Sequence, residues 1–369
     1  MKILIIGGGI AAFEAAVAAA EQKNIEVTVC SREAVLPYRR PALSRMVSES
    51  ITDNAFYLKD AAFYRERGID IKLEKEALRI DRKKKQVFFK DGDTIGYDRL
   101  IIAAGGYAFV PPVEGHENAC VLRDYDDLQQ IKQRLDEGIK NAVIIGCGVL
   151  GLELADSLLA KKCAVTVLES GASVLSRQLD PESSAAVQKH LESIPDFSLK
   201  TGVSVKKITP ESVELTDGTV IGSGLTVFST GVRSNSKIAA EAGIEVKQGI
   251  VVSSNMQSSD PEIYACGDVA EPPCGSYGLL SAAKAMGHAA GINAAGGHEE
   301  VVPDIYPVRL MALGIKLFSA GKINDAKSKT VCDGGNFQRL TYNACGDLTG
   351  AILLGDLKSA VKLQKEMVR

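Results

Sequence analysis

Lys2-Ile3-Leu4-Ile5-Ile6-Gly7-Gly8-Gly9-Ile10-Ala11-Ala12 has a counterpart 139 residues later, Asn141-Ala142-Val143-Ile144-Ile145-Gly146-Cys147-Gly148-Val149-Leu150-Gly151. Each copy opens with a short apolar run that suits a buried parallel strand. Each then turns on glycines into an Ala/Leu-rich helix, expected over residues 10–22 and 149–161. A second buried strand follows, 25–30 ending near Glu33 and 164–168 ending at Glu169. Gly7-x-Gly9-x-x-Ala12 and Gly146-x-Gly148-x-x-Gly151 are dinucleotide fingerprints. The first glycine permits the tight turn, the second admits a pyrophosphate to backbone amides, and the third small residue packs helix on strand. The helix N-terminus then turns partial positive charge toward the phosphates. Glu169, 23 residues after Gly146, suits ribose recognition. Arg32 and Glu33 both lie past the first copy's strand, and Glu33 is the carboxylate there for ribose hydroxyls. Ser170-Gly171-Ala172 offers no basic group for a 2′-phosphate, which favours NADH over NADPH.

Working outward, residues 87–90 and 94–97 read as a hairpin around Asp91-Gly92, and 213–215 and 219–221 repeat it around Asp217-Gly218. Each hairpin precedes an apolar strand with a glycine end, 100–103 before Ala104-Gly105 and 225–229 before Thr230-Gly231. The arrangement is therefore duplicated: two Rossmann-like dinucleotide-binding domains, each with an inserted β-meander. A strand over 262–265 stops at Cys266-Gly267-Asp268, and a helix over 281–295 follows. From about Val302 the pattern changes to short strands and a final amphipathic helix over 356–367, a small α+β domain. The expected division is 1–110 with 226–300, 111–225, and 301–369. The basic run at 82–85 starts a hairpin and reads as a solvated turn.

Composition narrows the class. The 369 residues are 46% apolar and 24% charged, which excludes disorder, collagen and a disulfide miniprotein. A net charge of −3 argues against nucleic acid as a partner. No window approaches the roughly 18 apolar residues of a membrane span. The start reads as strand and helix rather than signal peptide, because glycines and Glu14 interrupt its apolar run. Eight cysteines without a tight pair argue against zinc or iron–sulfur ligation, and free thiols fit a cytoplasmic protein. The four histidines show no ligand spacing, so no metal is expected. Cys147 and Cys266 fall inside glycine motifs and read as small packing residues.

The ordered set Gly7–Ala12, Ala103-Ala104-Gly105, Gly146-x-Gly148-x-x-Gly151-x-Glu153-x-Ala155, Thr230-Gly231 and Ile263–Asp268 resembles the FAD-dependent pyridine nucleotide–disulfide oxidoreductase superfamily over nearly the whole chain. The resemblance implies that the first fingerprint binds FAD and the second NADH. It places Ala77, Ala103, Gly105 and Gly231 among the cofactor contacts and Asp268 on the FAD ribityl chain. Ala104 stands where this superfamily usually has threonine, so one hydroxyl contact is missing. No cysteine lies in 31–48, and Leu43-Ser44-Arg45 occupies the place of a Ser-Cys-Gly redox turn.

The run Leu36-Pro37-Tyr38-Arg39-Arg40-Pro41-Ala42-Leu43-Ser44 instead resembles the NADH–rubredoxin reductase branch. That branch implies Arg40 at the FAD pyrophosphate. It also implies a cation, here Arg45, paired with Glu153 beside the flavin, and these two are the candidate catalytic residues. The expected activity is hydride transfer from NADH to FAD, then direct electron transfer to rubredoxin or ferredoxin, by a monomer or homodimer. The alternatives are a flavin subunit of a nitrite-reductase-like assembly, an NADH oxidase, or an NADH-sensing binding protein resembling apoptosis-inducing factor.

Overall fold

The computed structural model describes residues 1–50, 52, 56–273, 275, 278–333 and 336–367. Cys274 lies outside them. The chain divides into two compact units. The first comprises Met1–Ala42, Ile51–Tyr107 and Val232–Pro303; the second comprises Leu43–Ser50, Ala108–Gly231 and Asp304–Arg369.

In the first unit a sheet runs in the order Ile263–Ala265, Arg99–Ile102, Lys2–Ile6, Glu26–Cys30, Ile69–Lys72. All its pairings are parallel. The apolar strand residues are buried on both faces, which is why they read as unbroken runs. Chain order reverses beside Lys2–Ile6, so the crevice beyond its carboxyl end is the expected ligand position. The helix Ile10–Ala20 crosses the helix Leu280–Ala294 at close range. Gly287 and Gly291 make this possible: a Cβ on either would stand 2.4 Å from the Ala11 carbonyl oxygen or 2.3 Å from that of Ala15.

The first meander has three strands, Ala77–Asp81, Gln86–Phe89 and Thr94–Gly96. The basic run at its first turn is not simply solvated. Arg82 Nε lies 2.6 Å from Asp260 and Lys85 Nζ lies 2.6 Å from Glu262, tying the meander to the strand Ile263–Ala265.

The second unit repeats the plan. Its sheet runs Phe197–Thr201, Ala164–Glu169, Asn141–Ile145, Leu225–Phe228, Cys120–Val121, again all parallel. Its meander is Val205–Ile208, Ser212–Leu215 and Val220–Gly222. The unit also carries an antiparallel sheet, Val308–Ala312, Ile315–Gly321, Leu348–Leu354, Asn336–Tyr342, Lys327–Asp333. The last helix packs Leu363 and Met367 against Phe318, Ala351 and Leu353. It spans Ala360–Glu366 rather than 356–367, because Asp356 is held in a turn: its amide donates to Asn336 Oδ1 at 2.9 Å and its carboxylate accepts from Lys358 N.

Polar contacts fasten this sheet to the rest of its unit. Arg339 is in ion-pair contact with Asp180 and Glu182. Asp180, 2% exposed, also caps the helix Pro181–Leu191 by accepting from Ser183 N. The turn at Leu313 donates its amide to Asp156 and meets the His190 ring through its carbonyl.

Among the described residues, no helix is long and apolar enough to cross a membrane, and no His/Cys/Asp/Glu group could hold a metal.

Candidate functional site

Each unit builds a site at the carboxyl end of the parallel strand that enters its glycine turn, Lys2–Ile6 in the first and Asn141–Ile145 in the second. In the first, Gly7 has φ +131°, and a Cβ there would lie 2.1 Å from the Ala103 carbonyl oxygen. Gly146 does the same in the second, with φ +112° and 2.3 Å to the Ser229 oxygen. No L side chain is tolerated at such a φ and distance. The next fingerprint glycine is different. A Cβ on Gly9 or Gly148 would meet nothing within 4 Å. These glycines therefore keep a space open beside the helix start.

The helix starts themselves are uncapped. Ala61–Glu66, Tyr125–Asp136 and Pro181–Leu191 each begin at an aspartate whose side chain accepts a first-turn amide. Ile10–Ala20 and Val149–Ala160 begin at Gly9 and Gly148, with no side-chain cap and no acid in the first turn. First-turn amides without a side-chain acceptor, at the positive end of a helix, fit a phosphate group. Both sites thus fit the pyrophosphate of a dinucleotide.

The acids differ. Glu169 ends its strand, and its carboxylate accepts from Cys147 N at 2.8 Å and Gly171 N at 2.8 Å. Glu33 lies in the loop after its strand. Its carboxylate accepts from Arg40 NH2 at 2.7 Å and from the Tyr38 hydroxyl at 2.7 Å. Arg40, expected at a pyrophosphate, and Glu33, expected at a ribose, are therefore brought together. Tyr38 was unassigned in the sequence, although it lies inside the run that suggested Arg40.

Of the remaining positions, Ala103, Gly105, Gly231 and Asp268 lie just past carboxyl ends of parallel strands, whereas Ala77 lies in the separate first meander. Ala77 opens its strand, Ala103 is 5% exposed behind Gly7, and Gly105 and Gly231 turn with positive φ. Asp268 lies in the short helical turn Gly267–Val269 after Ile263–Ala265. Ala104 has no hydroxyl to donate, and its carbonyl accepts from Asn235 Nδ2 at 2.9 Å, whereas in the second unit Thr230 donates its own hydroxyl to the Phe109 carbonyl.

The expected Arg45–Glu153 ion pair is not formed. Arg45 pairs with Glu49 one helical turn away at 3.2 Å and is exposed. Glu153 instead accepts from the Ser44 hydroxyl at 3.0 Å. Burial raises its pKa, with the Ser44 bond opposing the rise and Asp156 adding to it. The local i,i+4 partner competes successfully for the long arginine side chain. The segment carrying Ser44 is fixed within the second unit, since Lys132 Nζ donates to the Met46 and Glu49 carbonyls at 3.1 Å each. Ser48 and Ser157 form a second hydroxyl contact at 3.4 Å.

The thiols near the motifs are shifted away from ionisation. Cys147 and Cys266 are buried, and burial pushes both up to about 12.

A family model described as pyridine nucleotide-disulphide oxidoreductase matches residues 1–289. The chain belongs to that family. It is 31% identical to the NADH-rubredoxin oxidoreductase of Clostridium acetobutylicum, over 99% of this chain and 93% of that one. It is 28% identical to the large subunit of the NADH nitrite reductase of Escherichia coli, over 89% of this chain but only 40% of that subunit. The solved NADH:rubredoxin oxidoreductase of C. acetobutylicum superposes with a TM-score of 0.84 at 29% identity, covering 99% of this chain and 94% of that one. Among the described residues the cysteines are free thiols, with no disulphide.

Proposed function

We propose that this chain is an NADH-dependent flavoprotein reductase that passes electrons through FAD directly to a small redox protein of the rubredoxin or ferredoxin kind. One combination carries the reading: two uncapped glycine-turn helices, and no cysteine in residues 31–48 between the first cradle and its unit's later strands. The C. acetobutylicum relatives support it. Bound FAD supplies a two-electron acceptor for hydride that can release electrons one at a time.

The residues divide the work. In the first unit the amides after Gly9 hold the FAD pyrophosphate with Arg40, Glu33 takes the adenosine ribose, and Asp268 takes the ribityl chain. Ala77, Ala103 and Gly105 give the cofactor close backbone approach. In the second unit the amides after Gly148 and the Glu169 carboxylate hold NADH, with Gly231 at the neighbouring strand end. Glu153 accepts from the Ser44 hydroxyl, and burial raises its pKa. Arg45 provides a fixed positive charge, since a guanidinium does not deprotonate. The segment after residue 301 forms an interface.

Stopped-flow spectroscopy tests this. The NADH-reduced protein should be reoxidised by rubredoxin much faster than by oxygen; equal rates would refute a protein acceptor. The relation to the nitrite reductase subunit supports a second reading, in which the chain is the flavin module of a larger reductase. Copurification with a nitrite-reducing protein would favour it.

A further inference from the structure

The two copies place their ribose acids in different positions, and this difference identifies a further residue. Cys30 pairs with Ile6 as Leu168 pairs with Ile145. Gly7 N donates to Cys30 O as Gly146 N donates to Leu168 O. In this register Ser31 stands where Glu169 stands, and Glu33 lies two residues farther out. Ser31 lies against Gly8: a Cβ on Gly8 would be 2.4 Å from the Ser31 hydroxyl oxygen. Glu169 is gripped by amides of its own glycine loop and the next turn. Glu33, displaced into the loop, is gripped by the Arg40 and Tyr38 side chains.

Tyr38 is built as a brace. It is 3% exposed. Its ring stacks on Phe56 at 4.6 Å and 12°. The Arg40 guanidinium lies over the same ring at 5.2 Å. Ring and guanidinium therefore hold each other while each binds one oxygen of the same carboxylate.

We infer that Tyr38 is a positioning residue for the resident dinucleotide: its hydroxyl, acting through Glu33, fixes the carboxylate that recognises the adenosine ribose of FAD. The inference rests on the proposed placement of FAD in the first unit. The second unit needs no counterpart, because Glu169 is fixed by amides.

The test is a double-mutant cycle on full-length apoprotein, with the FAD Kd read from quenching of flavin fluorescence. Tyr38→Phe keeps the ring stack and removes only the hydroxyl. It should raise the Kd about tenfold, as expected for losing a hydrogen bond to a charged group. In a Glu33→Ala background the same substitution should change the Kd less than about twofold, because the effect travels through Glu33. A rise of equal size in both backgrounds would show a merely structural role and overturn the inference, as would an unchanged Kd in the single variant. If Glu33→Ala alone leaves the FAD Kd unchanged, the placement of FAD at Glu33 fails and the inference fails with it.

Discussion

Gly148→Ala separates a glycine kept for the ligand from one kept for the fold. Gly148 has φ −85°, ordinary extended backbone, and a Cβ there meets nothing within 4 Å. The protein without nucleotide should therefore accept alanine. Reduced freedom of the unfolded chain should add about 0.4–1 kcal/mol of stability. Nucleotide binding should suffer, because the methyl enters the space beside the first-turn amides. Losing one amide–phosphate hydrogen bond to a charged partner costs about 1.5–3 kcal/mol, roughly 10- to 100-fold in Kd. Gly151→Ala, three residues on, is the contrast. Its Cβ would lie 2.3 Å from the Gly146 carbonyl oxygen. Alanine gains about 1 kcal/mol of helix propensity but overpacks the turn by about 1–3 kcal/mol or more, so the fold should lose stability. Calorimetric titration with NADH and thermal unfolding of each variant supply both axes. If Gly148→Ala lowers stability while NADH affinity stays within about twofold, the assignment of that space to the pyrophosphate is refuted.

Three further outcomes follow from the side chains. Among the described cysteines, Cys332 and Cys345 are exposed and should react with a thiol reagent on the native protein, while Cys30, Cys147, Cys163 and Cys266 should be labelled only after unfolding; peptide mass spectrometry reads this directly. Arg339→Ala strips the ion-pair partner from Asp180, which is 2% exposed, and should destabilise the second unit by about 3 kcal/mol in denaturant unfolding. Glu153 has a folded-state pKa above its ordinary value of 4.5, so the folded chain binds more protons and stability falls as pH rises through that window. Glu153→Gln removes this, and its stability relative to the parent should rise as pH climbs from about 4 through the raised value; a difference independent of pH would show that burial does not govern the group.

The duplicated strand–turn–helix–strand plan was legible in the sequence because its signals are local. A four-residue apolar run, a glycine triplet at fixed spacing and an acid some twenty residues later each report on backbone that must approach a neighbour or a phosphate. The strands begin or end within about one residue of their expected limits for the same reason. What was not legible depends on competition between partners. Arg45 has Glu49 four residues away and Glu153 more than a hundred away, and no spacing rule says which carboxylate captures it. The turn at Asp356 could not be foreseen either, since its amide is held by Asn336 on another strand. Tyr38 was hidden by its neighbours: a tyrosine inside a proline-rich turn gives no sign that it closes back on Glu33 until the loop is folded.

The arrangement of sulfur and oxygen then decides how electrons can leave. A cysteine relay needs a thiol at the flavin and surroundings that favour its thiolate. The two cysteines inside the glycine motifs meet neither need: they are buried, and burial moves them to about 12, away from ionisation at neutral pH. In the Leu43-Ser44-Arg45 turn the chain has Ser44, whose hydroxyl donates to Glu153. A hydroxyl can hold or hand on a proton but cannot store an electron pair. Neither thiol inside the glycine motifs offers reducing equivalents a ready thiolate, so in the proposed reading an acceptor takes them from the flavin itself. A compact iron protein that accepts one electron at a time meets that requirement.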